Sequence, residues 1–259
     1  MRVTIVIFII GAIVGSFLNV CIYRLQRSQS IVTPGSHCPN CKHPIPWHDN
    51  IPVVSYLFLT GKCRFCKKTI SPRYLLVEIL TGALFLALFF AFGATPKFFT
   101  NLVFAAALVV VTFIDFDTQT IPDHITFPGI AVGLIAALAF PSVMGEASRM
   151  AAFLDSIAGA ALGAGMIYCV AALGKMAFKK DAMGEGDIFL MAMIGAFLGW
   201  KLVIVAFFIA PIFGAVAGII MRMKTGEELM PYGPYLSLGA VVALFFGNRI
   251  LEYIFYGLK

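Results

Sequence analysis

Repeated apolar runs, most of them about as long as a membrane crossing requires, constrain this 259-residue chain more than any other feature. A spanning helix needs roughly 20 consecutive apolar residues. Runs at 3–23, 75–93, 99–114, 124–141, 151–174, 187–200, 202–220 and 235–255 therefore predict about eight transmembrane helices in an all-α polytopic membrane protein. Composition argues against one large soluble core. The chain is 60% hydrophobic with a mean hydropathy of +0.93, whereas a soluble domain is closer to half apolar. The first run is too long for a signal-peptide core, lacks a clear small-residue cleavage site and leads straight into Asn19 and Arg24, so it reads as a spanning helix. The sixth run is short and ends at Trp200-Lys201, the pattern of an interfacial anchor.

The net charge of +6 reports orientation rather than nucleic-acid binding. One alternating set of connections carries Arg24, Arg27, Lys42, Lys62, Arg64, Lys67, Lys68, Arg73, Lys175, Lys179, Lys180, Arg222 and Lys224, thirteen basic residues. The other set, with both termini, carries Arg2, Lys97, Arg149, Lys201, Arg249 and Lys259, which is six. Positive-inside bias puts the first set in the cytoplasm and both termini outside. The expected domains are a first transmembrane helix at 1–23, a cytoplasmic cysteine domain at 24–74 and a seven-helix membrane domain at 75–259. The pairs Gly159/Gly163 and Gly214/Gly218 have the spacing that lets helices approach closely. No internal repeat stands out.

Four of the six cysteines form two C-x-x-C pairs, Cys38/Cys41 and Cys63/Cys66, with 21 residues between them. This spacing is that of a four-thiolate, zinc-ribbon-like site, with redox thiols as the second reading. Four sulfurs close a zinc tetrahedron and leave no position for water, so the Zn2+ is expected to be structural, stapling a segment with little core of its own. His37, His43 and His48 lie nearby and read as surface residues. Cys21 and Cys169 read as small apolar residues.

Ionisable groups at membrane depth are costly and therefore mark functional sites. The third run enters Ile114-Asp115-Phe116-Asp117, followed by Ile121-Pro122-Asp123, and the sixth is entered through Gly184-Glu185-Gly186-Asp187. Two spans separate Asp115 from Asp187, so both lie at one face, which the charge count makes cytoplasmic. If spans three and six are neighbours, the carboxylates meet. One can then take a proton from water while the other, protonated, donates to a peptide carbonyl, the pair sharing a proton. Asp187 sits at the partially positive start of its helix and Asp115 at the partially negative end of its own. Asp187 is thus the expected base. Gly184 and Gly186 leave room for an extended substrate strand. Asp123 reads as the N-cap of the fourth span, Asp117 as a solvated loop acid with a catalytic role as the second reading, Glu185 as a solvated acid, and Asp155 as a residue that snorkels or bonds a neighbouring helix.

The chain resembles the bacterial type IV prepilin peptidases, the prepilin leader peptidase/N-methyltransferases. The resemblance covers nearly the whole length. It is carried by Gly15-Ser16-Phe17-Leu18-Asn19 with Tyr23-Arg24, the two C-x-x-C pairs, Asn50-Ile51-Pro52 through Tyr56, Gly61-Lys62-Cys63, Arg73-Tyr74 with Glu78, the two aspartate segments, and Pro231-Tyr232-Gly233-Pro234-Tyr235. It implies a bifunctional enzyme of the bacterial inner membrane. One activity is a G-x-G-D aspartic peptidase, with Asp115 and Asp187 catalytic, that removes the basic leader of type IV prepilins or type II pseudopilins. The other methylates the new N-terminal residue from S-adenosylmethionine. It also maps the zinc cysteines onto Cys38, Cys41, Cys63 and Cys66. No glycine-rich nucleotide loop of the Rossmann kind is present. The 24–74 segment is the natural candidate for methylation, with Glu78 placed to position an amine. A peptidase without methylation, an aspartate-dependent transporter or proton channel, and a zinc-stapled assembly protein are the competing readings. Both acids lie at one face rather than along a pore, which disfavours a channel.

Overall fold

The computed structural model describes residues 2–179, 183–225 and 230–257. Lys180 and Lys259, counted in the charge asymmetry, lie outside them. The described residues are helical, with no strand and two isolated β-bridges. Two units divide at Ala94.

The first unit, Met1–Ala94, holds α1 (Arg2–Leu25), the short α2 (Val54–Phe58) and α3 (Pro72–Phe92). Ser71 accepts the Arg73 N–H and Pro72 takes the first helical position, which fixes where α3 starts. α1 and α3 pack along small residues, Gly11 against Gly82 and Gly15 against the Glu78 backbone. Asn19 Nδ2 donates to the Tyr74 carbonyl at 3.0 Å and closes one end of the pair.

The second unit, Thr95–Lys259, holds α4 (Pro96–Thr118), α5 (Asp123–Ala139), α6 (Arg149–Phe178), α7 (Glu185–Thr225) and α8 (Gly233–Tyr256). Its core joins Phe104 and Val111 of α4, Ile167 of α6, Met191, Ile194 and Val203 of α7, and Leu236 of α8. Phe104 stacks on Phe197 at 4.6 Å, so the expected third and sixth spans touch. α4 ends because Gln119 turns left-handed, its N–H donating to the Asp115 carbonyl. Asp123 is not the N-cap of α5: Pro122 holds that position, and Asp123 opens the first turn, where a negative charge still suits the helix dipole.

Among the described residues, six helices have the length and apolarity to cross a membrane, and α5, with 17 residues, is a shorter apolar one. α7 counts as one of the six but has 41 residues, about twice a single crossing. It breaks at Gly199, where φ is +77° and ψ is 172°. Residues 191 and 203 would lie about 18 Å apart along an unbroken helix, yet a Cβ on Gly163 would touch both Met191 and Val203. The arms 185–198 and 200–225 therefore fold back beside α6, one residue before the expected Trp200-Lys201 break. Counting these arms and α5 separately gives eight apolar helices. Asp155 of α6 sits under the turn and accepts the Trp200 N–H at 3.2 Å, capping the second arm from a neighbouring helix. Gly159 and Gly163 pack against α7 backbone. Gly214 and Gly218 do not form such a seam, since a Cβ at either meets nothing closer than 3.5 Å, and only the side chains of Tyr232, Tyr235 and Met230. Large apolar side chains such as Ile9, Phe90, Phe208 and Ile219 remain exposed on the helices, as lipid-facing surfaces require. The chain is a multi-pass membrane protein.

Candidate active site and thiolate centre

Asp115 and Asp187 are both buried, at 4% and 8% exposure, although each ends or begins a helix. Asp117 lies two residues on, about 200° around the helix, and is exposed, as is Glu185. Each buried carboxylate is held by one backbone N–H. Gly233, the first residue of α8, donates to Asp115 Oδ2 at 2.8 Å. Gly184 donates to Asp187 Oδ2 at 3.1 Å. Hydrogen bonds from backbone N–H to an ionised group are among the stronger kinds.

Ile121 joins the two halves. A Cβ on Gly186 would lie 2.8 Å from the Ile121 Cβ, and one on Gly233 would lie 3.2 Å from the Ile121 Cδ1 and 2.8 Å from Asp115 Oδ2. The last turn of α4, the turn after it, the first turn of α7 and the start of α8 thus converge on one apolar side chain. The two aspartates are close enough for the charge of Asp115 to act on Asp187. The charge of Asp187 acts on Tyr232, just before α8, as well. Burial, then the Asp187 charge, push its hydroxyl up to about 12, so it stays protonated across the neutral range.

The two glycines singled out from sequence differ. Gly186 is crowded by Ile121, whereas a Cβ on Gly184 would meet nothing nearer than the Asp187 carboxylate at 3.6 Å. Ile121, Tyr232 and Gly233 had no expected role. The available signal was a glycine between two prolines, Pro231-Tyr232-Gly233-Pro234, at the entrance to the last apolar run. Such a helix start offers a free N–H and no side chain to keep an acid away.

In the first unit, Cys38, Cys41, Cys63 and Cys66 bring four sulfurs within 4.8 Å of one another. The Cys38–Cys66 and Cys41–Cys63 sulfurs lie 3.8 and 4.0 Å apart. A zinc tetrahedron with bonds of about 2.3 Å has sulfur edges of about 3.8 Å, so the cluster can hold a metal ion of that kind. Two knuckles of one design supply it. The Cys38 N–H donates to His43 O, Lys42 N–H to Cys38 O and Ile45 N–H to Ser36 O. The Cys63 N–H donates to Lys68 O, Lys67 N–H to Cys63 O and Ile70 N–H to Gly61 O. The bridges His37↔Pro44 and Lys62↔Thr69 match as well, and Lys42 and Lys67 both turn to positive φ. A repeat offset by 25 residues is thus present where none was expected. The histidines lie outside the cluster: His37 Nδ1 contacts Gly35 O, the His43 ring packs on Phe65, and His48 lies beside Asp49. Arg64, inside the second knuckle, forks onto Asp49 and holds its carboxyl below the usual carboxylate range.

The pattern of the bacterial peptidase A24 N-terminal domain matches residues 9–92, and that of the type IV leader peptidase family matches residues 102–219. Among curated relatives, a prepilin leader peptidase/N-methyltransferase of Myxococcus xanthus is 44% identical over 85% of this chain and 64% of its own length. Proteins of the same name from Pseudomonas aeruginosa and Neisseria gonorrhoeae are each 35% identical. The first match covers 93% of this chain and 90% of the relative, the second 89% and 86%. No solved structure matches the chain. Two buried, backbone-held aspartates, a four-sulfur centre between α1 and α3, and relatives matched over most of their length lead to one assignment: the chain belongs to the type IV leader peptidase family.

Proposed function

We propose that this protein is a bifunctional enzyme of the bacterial inner membrane that cleaves the basic leader from type IV prepilins or pseudopilins and N-methylates the residue thereby exposed. The names of its relatives, prepilin leader peptidase/N-methyltransferase, support the pairing of activities. The observation that carries the peptidase reading is the convergence of Asp115 and Asp187 around Ile121, each with one oxygen fixed by a backbone N–H.

In this reading Asp187, at the positive end of α7, is the ionised base. It takes a proton from water as the oxygen attacks the scissile carbonyl. Asp115 gives its proton to the carbonyl oxygen. Collapse of the tetrahedral intermediate then breaks the C–N bond; the leaving amine takes the proton held by Asp187, and the re-forming carbonyl returns its proton to Asp115. Gly184, with open space beside it, faces the substrate strand, while Gly186 keeps the α7 turn against Ile121. The charge count supports a cytoplasmic dyad and thiolate centre with both termini outside. The division at 1–23, 24–74 and 75–259 assigns cleavage to the last part and metal binding to the middle one. The four sulfurs would hold a structural Zn2+, which supplies cross-linking and no chemistry. Bound S-adenosylmethionine would supply an electrophilic methyl group for the amine nitrogen that cleavage exposes.

Purified protein incubated with a prepilin should yield the shortened product. Asp115→Asn and Asp187→Asn should each abolish cleavage without unfolding the chain. Full activity in either would refute the dyad.

A further inference from the structure

The first unit contains a cavity that peptide cleavage does not use. It holds about 440 Å3, against 180 Å3 for the cavity beside Lys97 and Asp155 in the second unit. That volume falls in the range of small-molecule sites, roughly 300–1,000 Å3. Side chains of α1 and α3, the segment around Ile51 and both knuckles line it.

Its charged groups are unusual for their burial. Glu78 of α3 is 8% exposed and Arg24 of α1 is 6% exposed, and both line the cavity. The partners of Glu78 are neutral: Oε2 accepts the Val53 N–H at 2.7 Å, and the Ser16 hydroxyl donates to the same carboxylate. The other acid of the lining, Asp49, is already closed by the Arg64 fork. Arg24 donates to the carbonyls of Ser30, Pro34 and Gly35, which are neutral too. One buried carboxyl group and one buried guanidinium therefore line the same cavity, neither with an oppositely charged partner among the described residues. Buried charges are ordinarily paired.

The backbone that meets the Glu78 carboxylate is strained as well. Val53 has φ +62° and ψ −53°, which a β-branched residue adopts only at a cost. Strain of this kind persists where a site requires it. Tyr23, Tyr56 and Tyr74 add aromatic surface to the lining.

We propose that this cavity is the methyl-donor site and takes S-adenosylmethionine, with Glu78 supplying the negative charge that holds the cationic donor. The chemistry of the lining fits that molecule. It carries a sulfonium and an α-ammonium for an acid, a carboxylate for a base, and an adenine ring for aromatic side chains. Glu78 is thus a donor-binding residue rather than the group that positions the amine. The proposal rests on the bifunctional reading above.

Equilibrium dialysis of the full chain in detergent against radiolabelled S-adenosylmethionine tests it. The unmutated protein should bind one molecule per chain. Glu78→Gln should weaken binding at least about tenfold, the loss expected for a hydrogen-bonded charge, and Glu78→Asp should recover part of it. Irradiation of the unmutated complex should cross-link the label within residues 16–78, a readout that stands even if the Gln variant misfolds, as judged by metal content and melting. Binding that Glu78→Gln leaves within twofold, or label recovered from residues 95–257, overturns the site and leaves the bifunctional reading intact. No binding by the unmutated protein overturns both.

Discussion

Gly233→Ala is the substitution that most directly tests how the aspartate site is held together. The added Cβ would lie 2.8 Å from Asp115 Oδ2, 3.2 Å from its Cγ and 3.2 Å from Ile121 Cδ1, whereas ordinary contact begins at 3.4 Å. The carboxylate or the start of α8 must retreat by about 0.6 Å. A retreat of that size lengthens the Gly233 N–H to Asp115 bond from 2.8 Å to about 3.4 Å, beyond the normal hydrogen-bond range. Overpacking of this kind costs about 1–3 kcal/mol. Misplacing a reacting group by about 1 Å can slow a reaction about a hundredfold, so a shift of about half that predicts a loss in kcat of about tenfold or more. Cleavage of a prepilin in detergent micelles, followed at saturating substrate, measures it, with a melting curve as the control for folding. Gly184→Ala is the matched comparison. Its Cβ meets nothing of this chain nearer than 3.6 Å, so it should leave melting unchanged and raise KM, because only the substrate would feel it. If Gly233→Ala cleaves within about twofold of the unmutated protein, the N–H of Gly233 does not position Asp115 and the reasoning fails.

Two further outcomes follow from the same geometry. Removing metal with a chelator, or replacing Cys38 by Ser, should open the segment between α1 and α3 to proteases, since the four sulfurs' common centre is what a metal would cross-link between the two knuckles; unchanged resistance counts against a structural metal. Gly199→Ala should lower the melting temperature, with a cost of about 1.5–5 kcal/mol. Backbone at φ +77° and ψ 172° is open almost only to glycine and costs another residue about 1–3 kcal/mol, and a Cβ 2.5 Å from Asp155 Oδ2 also displaces the cap on Trp200, which is worth about 0.5–2 kcal/mol. Asp155→Ala in the same chain should add less than its effect alone, because the clash and the cap involve one carboxylate; strict additivity of the two melting shifts would contradict this.

Much of this was legible in the sequence because the relevant signals are local. Apolar runs mark helices wherever the solvent is lipid, and acids inside them stand out by their cost. The C-x-x-C spacing fixes a thiolate pair in one tight turn, whatever lies around it. What could not be read was what distant segments bring to a site. The bond from Gly233 to Asp115 joins residues 118 apart, and Ile121 meets Gly186 and Gly233 only after α4, α7 and α8 have packed. The same limit explains why Gly159/Gly163 and Gly214/Gly218, identical in spacing, differ in outcome. The first pair meets the backbone of α7, the second only side chains around Tyr232. The knuckle repeat escaped notice because just Cys, Cys, Lys and Ile recur at an offset of 25, while the backbone hydrogen bonds that define it leave no trace in side-chain identity. A proline can precede a helix as well as begin it, which is why Asp123 lies one position inside α5 rather than at its cap.

The two aspartates receive nearly the same support, and this makes the choice between them informative. Each has one oxygen tied to a single backbone N–H, from Gly184 or Gly233, which leaves the other oxygen for water or substrate. Local hydrogen bonding therefore does not separate base from acid. What separates them is direction. Asp187 lies in the first turn of α7, where unpaired N–H groups favour an anion, while the α4 turn bearing Asp115 presents carbonyls. The proposed peptidase would therefore hold an anion at Asp187 and a proton on Asp115, the arrangement that the directions of α7 and α4 favour and the one that activating a water requires before the substrate arrives.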